Sequence, residues 1–209
     1  MPKTYNDLLL DGRHILRHIG VEAAELESRE LLAYAAGKDR QTLLRDLRLY
    51  VGEDVEQRFA ELLQRRMEGE PAAYIIGEWS FYDLDLDVNR SVLIPRADTE
   101  LIATRAIEVA TLAGDGCRVL DLCTGSGALA LAIKHACPQA HVVGSDLSDD
   151  ALKIAEENAR RLQLDVTFQK SDLFSELDGT FDLIVSNPPY IRTADCAHLA
   201  PNVRDHEPM

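Results

Sequence analysis

Apolar positions change rhythm twice along this 209-residue chain. From residue 4 to about residue 70 they recur at helical spacing. Leu8, Leu9, Ile15, Leu16 and Ile19 mark a first helix, which Thr4 can cap and Gly20 can stop. Leu26, Leu31, Leu32 and Tyr34 mark a second, from about Glu22 to the terminator Gly37. Leu43, Leu44 and Leu47 mark a short third. Val55, Phe59, Leu62, Leu63 and Met67 mark a fourth that ends at Gly69. Together they predict a small helical bundle.

Residues 74–95, YIIGEWSFYDLDLDVNRSVLIP, shift toward a period of two. Leu84, Leu86 and Val88 alternate with aspartates, the pattern of a half-exposed strand. The polar NRS follows as a turn before VLIP, so a β-hairpin bridging two domains is expected. From Asp98 the rhythm is α/β. A helix to about Ala113, capped by Asp98 or Thr99, precedes strand CRVLDLC, helix ALALAIKHA, strand HVVGSDL, helix DDALKIAEENARRLQ, and strands VTFQKSDL and FDLIVSN. Short apolar strands separated by helices predict a parallel, Rossmann-like sheet with helices on both faces. The expected organisation is a helical domain over 1–73, a hairpin linker over 74–95 and an α/β domain over 96–209.

Composition adds limits. An apolar content of 46% suffices for one sizeable core, or a small domain beside a larger one. No run of 18 apolar residues is present, and MPKTYNDLLLDGRH lacks a basic-then-apolar signal pattern, so a cytoplasmic protein is expected. Cys117, Cys123, Cys137 and Cys196 form no CxxC pair and read as reduced thiols. His14 and His18 can share a helix face, but no third ligand accompanies them, and no metal site is expected. A net charge of −14 repels phosphate backbones, which argues against broad nucleic-acid binding while leaving basic protein surfaces as partners.

The candidate chemistry lies at the carboxyl ends of the α/β strands, where open sheets bind ligands. The turn Asp121-Leu122-Cys123-Thr124-Gly125-Ser126-Gly127 lets backbone approach a ligand closely, but it matches neither GxGxxG nor GxxxxGK[ST]. Asp146, nineteen residues past Gly127, ends the second strand and is placed to accept from ribose hydroxyls. The third strand ends in Ser171-Asp172-Leu173, where Asp172 can accept from an adenine amino group and Leu173 can cover the ring. These positions describe a nucleoside pocket without a phosphate site. The fourth strand ends in Asn187-Pro188-Pro189-Tyr190. The two prolines stiffen the chain and leave the Pro188 carbonyl free. That carbonyl and the Asn187 side-chain oxygen are two acceptors for one NH2 group on a planar amide or aromatic amine. Tyr190 can pack on the plane.

In this order, VLIPRADTE, DLCTGSG, SDL and SNPPY resemble the S-adenosylmethionine-dependent HemK-like family, the peptide chain release factor glutamine methyltransferases. The resemblance covers essentially the whole chain. It implies that Asp121, Cys123, Thr124, Gly125, Ser126 and Gly127, with Asp146, Asp172, Leu173 and Asn187, contact S-adenosyl-L-methionine. It implies that Asn187, Pro188, Pro189 and Tyr190 hold the glutamine of a release factor's Gly-Gly-Gln loop while its side-chain nitrogen is methylated. S-adenosyl-L-homocysteine would be the other product. NPPY alone is shared with DNA adenine-N6 methyltransferases; LIPRADTE favours release-factor glutamine. Glutamine methylation of a ribosomal protein, adenine-N6 methylation of DNA and a non-catalytic release-factor-binding fragment are the alternatives. A monomer is expected, with no sequence-specific nucleic-acid partner. Cys123 stands where the family usually has glycine. The family continues beyond the EP of VRDHEPM with further helices and strands. A truncated sheet of four strands, with FDLIVSN as an unpaired apolar edge, is therefore expected.

Overall fold

The computed structural model describes residues 2–192, 204 and 206–208. Cys196, one of the expected free thiols, lies outside them; Cys117, Cys123 and Cys137 are free. The chain divides into two units, Met1–Ile76 and Gly77–Met209.

In the first unit, α1 (Tyr5–His18) begins at a reciprocal cap. The Asp7 backbone N–H donates to Thr4 Oγ1 at 3.2 Å, and the Thr4 N–H donates to Asp7 Oδ2 at 2.8 Å. α2 (Ala24–Ala36) closes on Gly37, whose φ of +60° is the left-handed cap its sequence predicts. α3 (Arg40–Arg45) and α4 (Glu53–Met67) follow. Their apolar faces bury Leu8, Leu16, Leu31, Leu32, Leu43, Phe59, Leu62 and Leu63. Gly12 leaves room for α2 and α4: a Cβ there would lie 2.6 Å from Phe59 Cζ and 2.5 Å from Ser28 Oγ. α5 (Ala72–Ile76) has no counterpart among the expected helices. Ala72, Ala73, Tyr74 and Ile75 are all buried, so this short element has no polar face to mark it.

The second unit opens on a hairpin, β1 (Glu78–Phe81) antiparallel to β2 (Leu84–Asp87). Its turn is Tyr82-Asp83, not the expected NRS, and VLIP is not a strand. Both turn residues have positive φ, +49° and +62°, as a two-residue hairpin turn needs to match the strand twist. The Tyr82 N–H donates to Glu100 Oε1 at 3.1 Å, which holds the strained turn.

α6 (Ala97–Ala113) is capped at Arg96 rather than at Asp98 or Thr99. Asp98 instead lies in the first turn, where a carboxylate complements the helix dipole, and Thr99 is buried. β3 (Arg118–Leu122), α7 (Ala128–Ala136), β4 (His141–Asp146), α8 (Asp149–Leu162), β5 (Thr167–Lys170) and β6 (Leu183–Ser186) follow. All four strands run parallel in the order β5-β4-β3-β6. One core joins Leu84 and Leu86 of the hairpin, Ala103 and Ala106 of α6, Leu131 and Ile133 of α7, and Val119, Val142 and Val185 of the sheet. Among the described residues β6 pairs only with β3, and its Ile184 is half exposed. No helix of the described residues is long and apolar enough to cross a membrane.

Candidate active site

The site begins where β3 ends. Cys123, immediately after it, has φ +62°, followed by Gly125 at +56° and Gly127 at +84°. Three left-handed residues in five reverse the chain and deliver it into α7, with Gly127 as the N-cap. Asp121 anchors this turn from below. Its Oδ2 accepts from Thr124 Oγ1 at 2.6 Å and from the Ala130 N–H at 3.1 Å. Its Oδ1 is buried without a hydrogen-bond partner. Burial pushes this carboxyl up to about 7; the Asp146 charge adds to the rise, and the two hydrogen bonds oppose it.

Asp146, at the tip of β4, supports the turn from the side. Its Oδ2 accepts from the Gly125 N–H at 2.9 Å and its Oδ1 from the Ser148 N–H at 3.0 Å. The Thr124 N–H donates to the Ser145 carbonyl at 2.9 Å. Two residues absent from the sequence-based candidates make this docking possible. Gly144 of β4 lies beneath the turn: a Cβ there would meet Thr124 Oγ1 at 2.9 Å and Phe168 Cε1 at 2.6 Å. Asn158 of α8 donates through Nδ2 to the Ser126 carbonyl at 3.0 Å.

A crevice opens against this turn. Leu93, Pro95, Thr99, Asp121, Cys123, Thr124, Gly125, Ser126, Ala128, Leu129 and Asn187 line it. Of the sequence candidates, the structure brings Asp121, Cys123, Thr124, Gly125 and Ser126 together with Asn187; Gly127 and Asp146 do not line this crevice. The structure also brings in Leu93, Pro95 and Thr99 from LIPRADTE, to which sequence reasoning gave no site role. Asn187 follows β6, and its Nδ2 donates to Thr99 Oγ1 at 3.3 Å. Burial and the nearby Asp146 and Asp121 charges push the Cys123 thiol pKa up, which keeps it protonated.

The other candidates stand apart from the crevice wall. β5 ends at Lys170, so Ser171-Asp172-Leu173 form a turn beyond the strand rather than its tip. Ser171 Oγ donates to the Leu173 carbonyl at 2.7 Å. Leu173 has φ +52° and is half exposed, and Asp172 is exposed. Pro188, Pro189 and Tyr190 are also exposed, Tyr190 at 81%.

The crevice lies between the glycine-rich turn and Asn187, the first residue of the asparagine-proline segment. Comparison with known proteins is specific. A family model for the PrmC N-terminal domain matches residues 7–77, and one for the methyltransferase small domain matches residues 101–200. A release factor glutamine methyltransferase from Agrobacterium fabrum is 40% identical over 206 residues, covering 96% of this chain and 71% of its own. One from Geobacter sulfurreducens is 43% identical over 197 residues, covering 94% and 68%. Among solved structures, a ribosomal protein L11 methylase from Lactobacillus delbrueckii subsp. bulgaricus shares 38% identity with a TM-score of 0.40, over 44% of this chain and 47% of its own. The chain belongs to the release factor glutamine methyltransferase family.

Proposed function

We propose that this chain transfers a methyl group from S-adenosyl-L-methionine to the side-chain amide nitrogen of the glutamine in a release factor's Gly-Gly-Gln motif. The observation that carries this reading is the shared crevice: Asn187, just past β6, lines the same space as Asp121, Cys123, Thr124, Gly125 and Ser126 of the glycine-rich turn.

The residues suit the donor. The buried, unpartnered Asp121 Oδ1 calls for a hydrogen-bond donor, and the ammonium of a methionine moiety is one. Cys123, Thr124, Gly125, Ser126 and Gly127 would take its amino-acid end, and Asp146 its ribose hydroxyls. Asp172 and Leu173 would serve the adenine, brought in by adjustment of their exposed turn. When bound, the donor supplies a methyl group already activated on a sulfonium. The protein's own task is then orientation. Asn187 Oδ1 and the Pro188 carbonyl accept the two amide hydrogens, aim the nitrogen's electron pair at the methyl group and disfavour the planar amide. Tyr190 packs on the amide plane, with Pro189 keeping the segment stiff. A carbon–nitrogen bond forms as the carbon–sulfur bond breaks, and one amide proton leaves to solvent.

The helical domain, 1–73 in the sequence reading, recognises the protein substrate, and the 74–95 stretch links it to the methyltransferase domain at 96–209. The match of residues 7–77 to a family model for the PrmC N-terminal domain supports a separate domain here. The enzyme works in the cytoplasm as a monomer. The charge of −14 supports a protein rather than a nucleic-acid substrate. Incubation with methyl-labelled donor and, separately, a release factor, ribosomal proteins and duplex DNA should label the release factor alone. Label in DNA or ribosomal protein, or in none, overturns the assignment.

A further inference from the structure

We infer that Thr99 is a positioning residue for methyl transfer: its hydroxyl holds the Asn187 amide with the oxygen available to the substrate nitrogen. The inference rests on the reading of the site as an amide methyltransferase.

An asparagine amide has two nearly isosteric ends, and only Oδ1 can accept a substrate N–H. If the amide turned over, Nδ2 would meet the substrate's NH2, donor against donor. Something must therefore fix its orientation. Asn187 Nδ2 donates to Thr99 Oγ1 at 3.3 Å, between residues 88 apart in sequence. Thr99 is only 7% exposed, and both side chains line the same crevice. Satisfying Nδ2 here leaves Oδ1 as the free end.

Thr99 can act as a fixed point because the start of α6 is held on either side. Glu100, next in the chain, accepts from the Tyr82 N–H in the hairpin turn. Arg96, the N-cap, pairs with Glu207. Neither contact touches the crevice chemistry directly. Together they keep the first turn of α6 from drifting away from the tip of β6. LIPRADTE thereby gains a physical role: it ties a hairpin and a helix start to the amide that orients the substrate.

Two measurements test this on the full chain. The first is independent of turnover. In ¹⁵N-labelled protein, the Asn187 side-chain NH2 signals, assigned by their loss in Asn187→Ala, should shift in Thr99→Val and stay near their wild-type positions in Thr99→Ser. Signals unmoved in Thr99→Val overturn the contact. The second uses a release factor as substrate. Thr99→Val should lower kcat about tenfold, the loss of one orienting hydrogen bond, while the Kd for S-adenosyl-L-homocysteine is unchanged. Thr99→Ser should recover most of the rate. An unchanged kcat in Thr99→Val, or failure of serine to rescue in a folded variant, overturns the positioning role. If wild-type protein labels no release factor, the functional reading falls, and with it the role in transfer; the spectra still decide the contact.

Discussion

Asn158 and Asp87, 71 residues apart, form a closed pair: the Asp87 N–H donates to Asn158 Oδ1 at 2.7 Å, and Asn158 Nδ2 donates to the Asp87 carbonyl at 3.0 Å. The same Nδ2 reaches the Ser126 carbonyl at 3.0 Å. A fully buried amide on α8 therefore ties the end of the hairpin to the glycine-rich turn. Asn158→Ala leaves several of these backbone groups buried and unpartnered. It should cost about 2–4 kcal/mol in urea unfolding and lower donor affinity. Unchanged stability would mean that the hairpin and turn are held by other contacts.

Cys123 adopts φ +62°, a conformation that costs a side chain bearing Cβ about 1–2 kcal/mol. Glycine removes that strain but adds freedom to the unfolded chain, about 0.5–1 kcal/mol. Cys123→Gly should thus leave stability unchanged or raise it by up to about 1.5 kcal/mol. Cys123→Val, with a branched β-carbon, should lower it. Calorimetric Tm values for the two variants check the ordering, and a Gly variant less stable than Val would refute it.

Gly144 must stay bare for the turn to dock. A methyl group there meets the Phe168 ring edge at 2.6 Å and Thr124 Oγ1 at 2.9 Å. Gly144→Ala should destabilise the protein by about 1–3 kcal/mol and weaken donor binding by displacing Thr124. Titration calorimetry with S-adenosyl-L-homocysteine reads the second effect directly.

Asp121 makes stability depend on pH. Burial raises its carboxyl from an ordinary 3.8 to about 7. Between those values the folded chain holds a proton that the unfolded chain has lost. The associated stability is fully present below about pH 4 and is lost as pH rises through about 7, at a slope of about 1.4 kcal/mol per unit. Asp121→Asn does not titrate, so its stability relative to wild type should rise across pH 5–7 and level off above. A difference that is flat across this range would show that Asp121 is already ionised in the folded protein.

Much of this was legible in the sequence because it is local. The Thr4 cap, the Gly37 terminator and the alternation that builds the four-stranded sheet each depend on residues within one or two turns. The glycine-rich turn and Asn187 were legible for the same reason, each closing a recognisable apolar strand. The hairpin turn was misplaced because Tyr82-Asp83 carries no glycine or asparagine, and its positive φ values are upheld from outside by Glu100. α5 escaped because it is buried on every side. Leu93, Pro95 and Thr99 joined the site only through folding: no spacing rule links Thr99 to a residue 88 positions later.

The central claim is that Asn187 orients a glutamine amide for methyl transfer. Fragment mass spectrometry of a Gly-Gly-Gln release factor, after reaction with wild-type protein and with Asn187→Ala, tests it most directly. Wild type should place one methyl group on the glutamine side-chain nitrogen. Asn187→Ala, folded and still binding S-adenosyl-L-homocysteine, should place none at that position. Equal methylation by the variant, or a methyl group on any other atom, would contradict the account.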